Sequence, residues 1–153
     1  MGFFQVERVV WELPIKTVSE ANTSEHWTKK ARRHKAQQWV VRLAFGGLKS
    51  PISLPCCVKM TRVGGRQLDT GDNLPMAFKY IKDQIAEEIF PETAGYYTTK
   101  GRQYVDKHGR TRTRKAQIRS KKGNADDDPR ITWEYAQEKA KKHAVRIEIT
   151  YDA

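Results

Sequence analysis

Cysteine is almost missing from this chain: Cys56 and Cys57 are its two, and they are neighbours. Adjacent residues of a strand point to opposite faces, so the pair is poorly placed for a disulfide and reads as two reduced, structural thiols. No Cys/His set has zinc-ligand spacing, which excludes a zinc finger or ribbon. Long apolar runs are missing too. None approaches the roughly 18–20 residues that span a bilayer. The opening Met1-Gly2-Phe3-Phe4-Gln5-Val6-Glu7-Arg8 has neither the basic nor the apolar region of a signal peptide. A cytoplasmic protein with no membrane partner is expected. Acids are scarce: 18 Asp and Glu stand against 29 Lys and Arg, a formal charge of +11. Such a field attracts polyanions and speeds encounter with them, so nucleic acid is the partner it points to.

What is present fits one domain. At 153 residues the chain is long enough to bury a core, and its 38% apolar and 31% charged shares suit a globular protein. Residues 4–13 partly alternate and are rich in β-formers, ended by Pro14. A helix is expected from about Ser24 to Phe45, capped by Thr23 or Ser24 and stopped by Gly46-Gly47. Its first turns carry Lys29, Lys30, Arg32, Arg33 and Lys35, a basic end suited to nucleic acid, and its last turns are apolar. A second strand is expected over 54–63. A single strongly amphipathic helix is expected over 73–90, with Leu74, Ala77, Phe78, Ile81, Ile85 and Ile89 at helical spacing.

Residues 91–124 change character. Lys100, Arg102, Lys107, Arg110, Arg112, Arg114, Lys115, Arg119, Lys121 and Lys122 face only Glu92 and Asp106. A core packs poorly from this composition, so the stretch reads as an inserted basic hairpin or arm. Two alternating strands close the chain, at 131–137 and 144–151. The order predicts an α+β domain spanning 1–153: a small mixed or antiparallel sheet, two packed helices and the inserted arm.

Two acid clusters stand out against this basic background. Leu68-Asp69-Thr70-Gly71-Asp72-Asn73-Leu74 lies between a strand and a helix; Asp126-Asp127-Asp128-Pro129-Arg130 precedes a strand. Carboxylates repel a polyanion unless a cation lies between them, and a divalent metal is the obvious mediator. At about 100° per residue, Lys79 and Asp83 fall within about 20° of Asp72 around this second helix, on the face opposite the apolar stripe. This set suits metal-dependent phosphodiester hydrolysis, with a lysine to neutralise developing charge. The plainer reading makes Asp72 a helix cap, Asp69 a turn residue, and the downstream acids a solvated turn.

Taken in order, Leu68-Asp-Thr-Gly-Asp-Asn-Leu74, Phe78-Lys79-Tyr-Ile-Lys-Asp83-Gln-Ile85 and Asp126-Asp-Asp-Pro-Arg-Ile-Thr-Trp-Glu-Tyr-Ala-Gln137 resemble the RusA family of phage and prophage Holliday-junction resolvases. Ala21-Asn22-Thr-Ser-Glu-His-Trp27 and Arg32-Arg33-His-Lys35 are similar to the N-terminal region of phage members. The resemblance covers most of the chain except the arm. It implies a homodimeric endonuclease that cuts four-way or branched DNA with Mg²⁺ (or Mn²⁺). The acids carried over are Asp69, Asp72 and Asp126, with Asp127 and Asp128 as alternative third ligands. The amide falls on Asn73, and the lysine falls on Lys79, Met76 occupying the nearer position. The arm, outside the resemblance, would hold DNA or serve dimerisation, and its basic character favours phosphate contact through Arg102, Arg110, Arg112 and Arg114. The family spacing Asp-x-Asp-Asn is here Asp-x-x-Asp-Asn, so Gly71 would have to absorb an extra residue as a bulge. Two other readings stay open: a noncatalytic nucleic-acid-binding protein on the same fold, and a basic RNA-associated structural protein.

Overall fold

The computed structural model describes residues 5–20, 23–90, 96–120 and 125–153. Phe4, the Ala21-Asn22 pair, Glu92 and the Lys121-Lys122 pair, each part of an expectation above, lie outside the described residues. The fold is α+β: a mixed four-stranded sheet, three helices of which two are substantial, and a projecting hairpin.

The sheet order is β1 (Val6–Leu13), β8 (Ala144–Asp152), β2 (Cys56–Gly64), β7 (Ile131–Lys139). β8 pairs antiparallel with β1 and with β2, whereas β2 and β7 run parallel. The last two strands therefore do not pair with each other, because β2 lies between them. The β8 pattern explains its central place. Val145, Ile147, Ile149 and Tyr151 alternate onto one buried face, and the strand is paired on both sides. Cys56, Val58 and Met60 of β2 continue that face. On the other face charges alternate across strands, Lys59 lying between Glu148 and Glu134. A sheet with one apolar and one solvated face must be covered on one side only.

Helices α1 (Trp27–Gly46), α2 (Asn73–Ala77) and α3 (Lys79–Ile89) supply that cover. α1 buries Val41 and Phe45, and Phe45 packs on Trp11 with ring centroids 4.8 Å apart. Its cap is neither Thr23 nor Ser24. His26 precedes the first turn, and its imidazole accepts from the Thr28 N–H at 3.4 Å. The helix expected over 73–90 is interrupted. The Phe78 N–H reaches back three residues to the Pro75 carbonyl at 3.1 Å, a tightened turn that separates α2 from α3. Leu74, Phe78, Ile81 and Ile85 are nonetheless all buried, so the apolar stripe survives the break. Within 91–124, β3 (Tyr96–Thr98) pairs with β6 (Ile118–Ser120), and β4 (Arg102–Val105) with β5 (Thr111–Arg114). Every residue of β4 and β5 is exposed, as the composition requires.

Candidate active site

β7 organises the site. Trp133, Tyr135 and Gln137 alternate onto its helix-covered face, and each meets a successive piece of the segment 68–82. The Gln137 amide donates to the Leu68 carbonyl at 2.7 Å and accepts from the Leu68 N–H at 2.9 Å. The Tyr135 ring stacks on Phe78 with centroids 5.8 Å apart. The Lys82 ammonium lies 5.1 Å from the centre of the Trp133 ring. The acid loop, α2 and the start of α3 thus run down β7 in the opposite direction to the strand. The first acid cluster is pinned at the Gln137 end.

The second cluster is pinned at the Trp133 end. A 3₁₀ turn over Ala125–Asp127 packs against α3, and the Trp133 indole N–H donates to the Asp126 carbonyl at 2.9 Å. The Asp126 carboxylate lies 3.7 Å from the Lys82 ammonium. Gln137 lies four positions after Trp133, about 13 Å along β7. Among the described residues, no group of three or more His, Cys, Asp or Glu side chains is placed to hold a metal ion.

The acid loop has its own internal bonding. The Asp69 carbonyl accepts from the Leu74 N–H at 3.0 Å, and its carboxylate accepts from the Asp72 N–H at 3.1 Å and from the Asn73 side chain. The Asn73 hydrogen bond, then that of the Asp72 N–H, holds the Asp69 carboxyl below its ordinary range. Asn73 also accepts from the Ser19 hydroxyl, tying the loop to the segment after β1. Asp72 stands at the start of α2, but its side chain makes no cap hydrogen bond. Thr70 and Gly71, between the two acids, lie in this turn, well beyond the end of β2. It is not a strand bulge, and Gly71 has no positive φ.

Asp128 has a different role. Arg130 donates to it from Nε at 3.0 Å, from Nη2 at 2.9 Å and from its backbone N–H at 3.0 Å. These bonds, the side-chain ones foremost, push its carboxyl down to about 2. Asp127 is exposed. Lys79 is exposed at the first position of α3, its ammonium 5.6 Å from the centre of the Tyr80 ring. The same Tyr80 ring stacks on His34 of α1 at 3.4 Å between centroids.

The basic end of α1 divides in two. Arg33 donates through both terminal nitrogens to the buried Glu20, with Lys30 at 3.8 Å and His34 at 3.2 Å from the same carboxylate. Lys29, Arg32 and Lys35 are exposed. Burial pushes the Glu20 carboxyl up, but hydrogen bonds from Arg33 and His34 and their charges outweigh it, leaving the group lowered.

Sequence reasoning missed Lys82, Gln137, Ser19 and Glu20. Gln137 was within its reach, since it keeps the two-residue period of Trp133 and Tyr135. Ser19 and Glu20 gave no signal, because nothing local marks contacts made across so many residues. Comparison with protein-family models, with curated proteins and with solved structures finds no match.

Proposed function

We propose that this chain is a RusA-like endonuclease, folded as that family is and acting as a homodimer. It hydrolyses phosphodiesters of four-way or otherwise branched DNA with Mg²⁺ or Mn²⁺. One observation carries the reading. Both acid clusters and Lys82 lie along a single seam between β7 and the 68–82 segment, in a chain of charge +11, and Lys79 stands exposed one turn before Lys82 on α3. A purely structural turn gives no reason to bring carboxylates to the same seam of a polyanion-seeking protein.

The donor chemistry agrees in part. Mg²⁺ is commonly held by one or two carboxylates, with water and substrate phosphate completing its shell. Asp69 and Asp72 flank one turn and offer such hard oxygens. Asp126 is the third acid of the reading, further down the seam, and Asp128 is committed to Arg130. When bound, the ion would polarise the phosphoryl oxygen and lower the pKa of attacking water. The protein's own part is positional and electrostatic. Asn73 orients the Asp69 carboxylate, and Lys79 offers a positive charge to the phosphate oxygens. Lys29, Arg32 and Lys35 hold the DNA backbone.

A labelled four-way junction incubated with the protein and Mg²⁺ tests this. Paired symmetric nicks are expected, lost in Asp72→Asn while junction binding persists. The competing reading, a noncatalytic nucleic-acid-binding protein, is favoured by the existing bonds to the Asp69 carboxylate and by the lack of a three-carboxylate group among the described residues. Binding without nicks in both Mg²⁺ and Mn²⁺ would establish that competitor. Among the described residues no helix is long and apolar enough to cross a membrane.

A further inference from the structure

The ribbon formed by β4 and β5 has two unlike faces. Residues directly opposite in an antiparallel pair share a face, and successive residues alternate. Arg102 opposes Arg114 and Tyr104 opposes Arg112, so one face carries three arginines and a tyrosine. Gln103 opposes Thr113 and Val105 opposes Thr111, so the other face carries no charge. The Arg114 guanidinium lies 5.2 Å from the centre of the Tyr104 ring, which confirms that these side chains share a side.

Placing Arg102 directly across from Arg114 is unfavourable for an isolated ribbon, since like charges in register repel. At its neck a groove of about 490 Å³ adds Lys100 and Lys115 to the same two arginines, with Thr99 and Gln117 as further lining. Among all these side chains there is no acid. The tip of the hairpin does manage its charge. Asp106 accepts from the His108 and Arg110 N–H groups at 2.9 and 3.0 Å and from Arg112 at 3.1 Å, while Gly109 supplies the positive φ of the turn. The tip is thus bonded within itself and the neck is left cationic. The planar fork of arginine suits bidentate phosphate binding better than lysine does.

We infer that this ribbon is a duplex-DNA docking element. Its arginine face lies on the phosphate backbone, and the neck groove of Lys100, Arg102, Arg114 and Lys115 seats backbone phosphate. The choice of DNA over an acidic protein segment rests on the nuclease reading above. The docking surface shares no residue with the acid seam.

The test is titration of a linear DNA duplex, in EDTA so that no cutting intervenes, across a range of salt concentrations. Arg102→Gln with Arg114→Gln is expected to reduce the slope of log affinity against log salt by about 2, since each phosphate contact contributes roughly 0.9. Gln103→Ala with Thr113→Ala on the opposite face is expected to leave the slope unchanged. Arg102→Lys with Arg114→Lys, which keeps the charge, is expected to keep most of it. Hydrogen exchange of the ribbon amides in the glutamine variant should be no faster than in the parent, because repulsion has been relieved. An unchanged slope in the glutamine variant, an equal fall in the opposite-face control, or tighter binding of a polyglutamate peptide than of duplex each overturns the inference. So does a fall in slope accompanied by lost ribbon protection. Nicking is scored separately. Missing nicks with an intact slope effect sink only the nuclease reading, and an unchanged slope with normal nicking sinks only the ribbon.

Discussion

Gln137 holds both backbone polar groups of Leu68, donating to its carbonyl at 2.7 Å and accepting from its N–H at 2.9 Å. This is how β7 sets the position of the loop that carries Asp69 and Asp72. Gln137→Leu keeps the size and removes both bonds, leaving two half-buried backbone groups to find water. A loss of about 1–2 kcal/mol is expected in urea unfolding. Under the nuclease reading, junction nicking should fall by more than that stability loss accounts for, while duplex affinity is retained. Equal falls in nicking and affinity would mean that the clasp supports the fold alone.

Lys79 and Lys82 stand one turn apart on α3 in unlike surroundings. Lys82 is engaged, with the Asp126 carboxylate at 3.7 Å and the Trp133 ring beneath it. Lys79 is exposed, its ammonium 5.6 Å from the centre of the Tyr80 ring. Under the nuclease reading, Lys79→Met is therefore expected to reduce nicking by roughly 10²-fold, as loss of a donor to developing charge does. Lys82→Met should cost less than tenfold in rate and under about 1 kcal/mol in stability, since the pair it breaks is partly solvated. Single-turnover rates of both variants decide the matter. The opposite ranking would move the phosphate-neutralising role to Lys82.

The broad fold was legible because it rests on period and punctuation. The alternation of Val145, Ile147 and Ile149, the stripe Leu74, Phe78, Ile81 and Ile85, and the lopsided charge of residues 91–124 each point to the element observed. What escaped depends on pairing at a distance. Nothing in the two C-terminal strands says that β2 will insert between them. The break at Phe78 comes from one shortened hydrogen bond that leaves the apolar spacing intact. Within the site, the acids themselves were visible as exceptions to a basic background. Their separation along β7 was not, because it is set by the Gln137 and Trp133 contacts rather than by spacing in the chain. Nor was the diversion of Arg33 to Glu20, a buried partner thirteen residues upstream.

Asn73 is expected to control the titration of Asp69. The Asn73 side chain is the foremost cause of the lowered Asp69 carboxyl, ahead of the Asp72 N–H. Asn73→Ala removes that donor and leaves the backbone bond, so the Asp69 pKa should rise toward its ordinary value of 3.8 without passing it. Carboxyl-carbon NMR titration of parent and variant measures this directly. A pKa that stays fixed or falls would show that the side-chain bond does not form in solution. The Ser19 hydroxyl loses its partner in the same variant, so a Ser19→Ala control separates the two contributions.

Glu20 is expected to give the acid limb of the stability curve a recognisable component. Burial alone would raise its pKa, but Arg33 and His34 together bring the folded-state value below the ordinary 4.5. A carboxyl with a lowered folded pKa contributes stability in full above its unfolded value and loses it as pH falls through the folded value. That contribution should therefore be intact at neutral pH and vanish on acidification below about 4.5. In Glu20→Gln the Arg33 guanidinium loses its nearer charged partner at every pH and keeps only Glu25, at 3.6 Å, among the described residues. The variant should be less stable than the parent at pH 7, and the gap should close as both are acidified. Asp128, held down to about 2 by Arg130, is present in both proteins, so its contribution cancels from the gap. Urea midpoints of the two proteins from pH 7 to pH 3 provide the measurement. A stability gap that is constant over that range would mean that Glu20 acts through packing, with no net ionic contribution from Arg33 and His34.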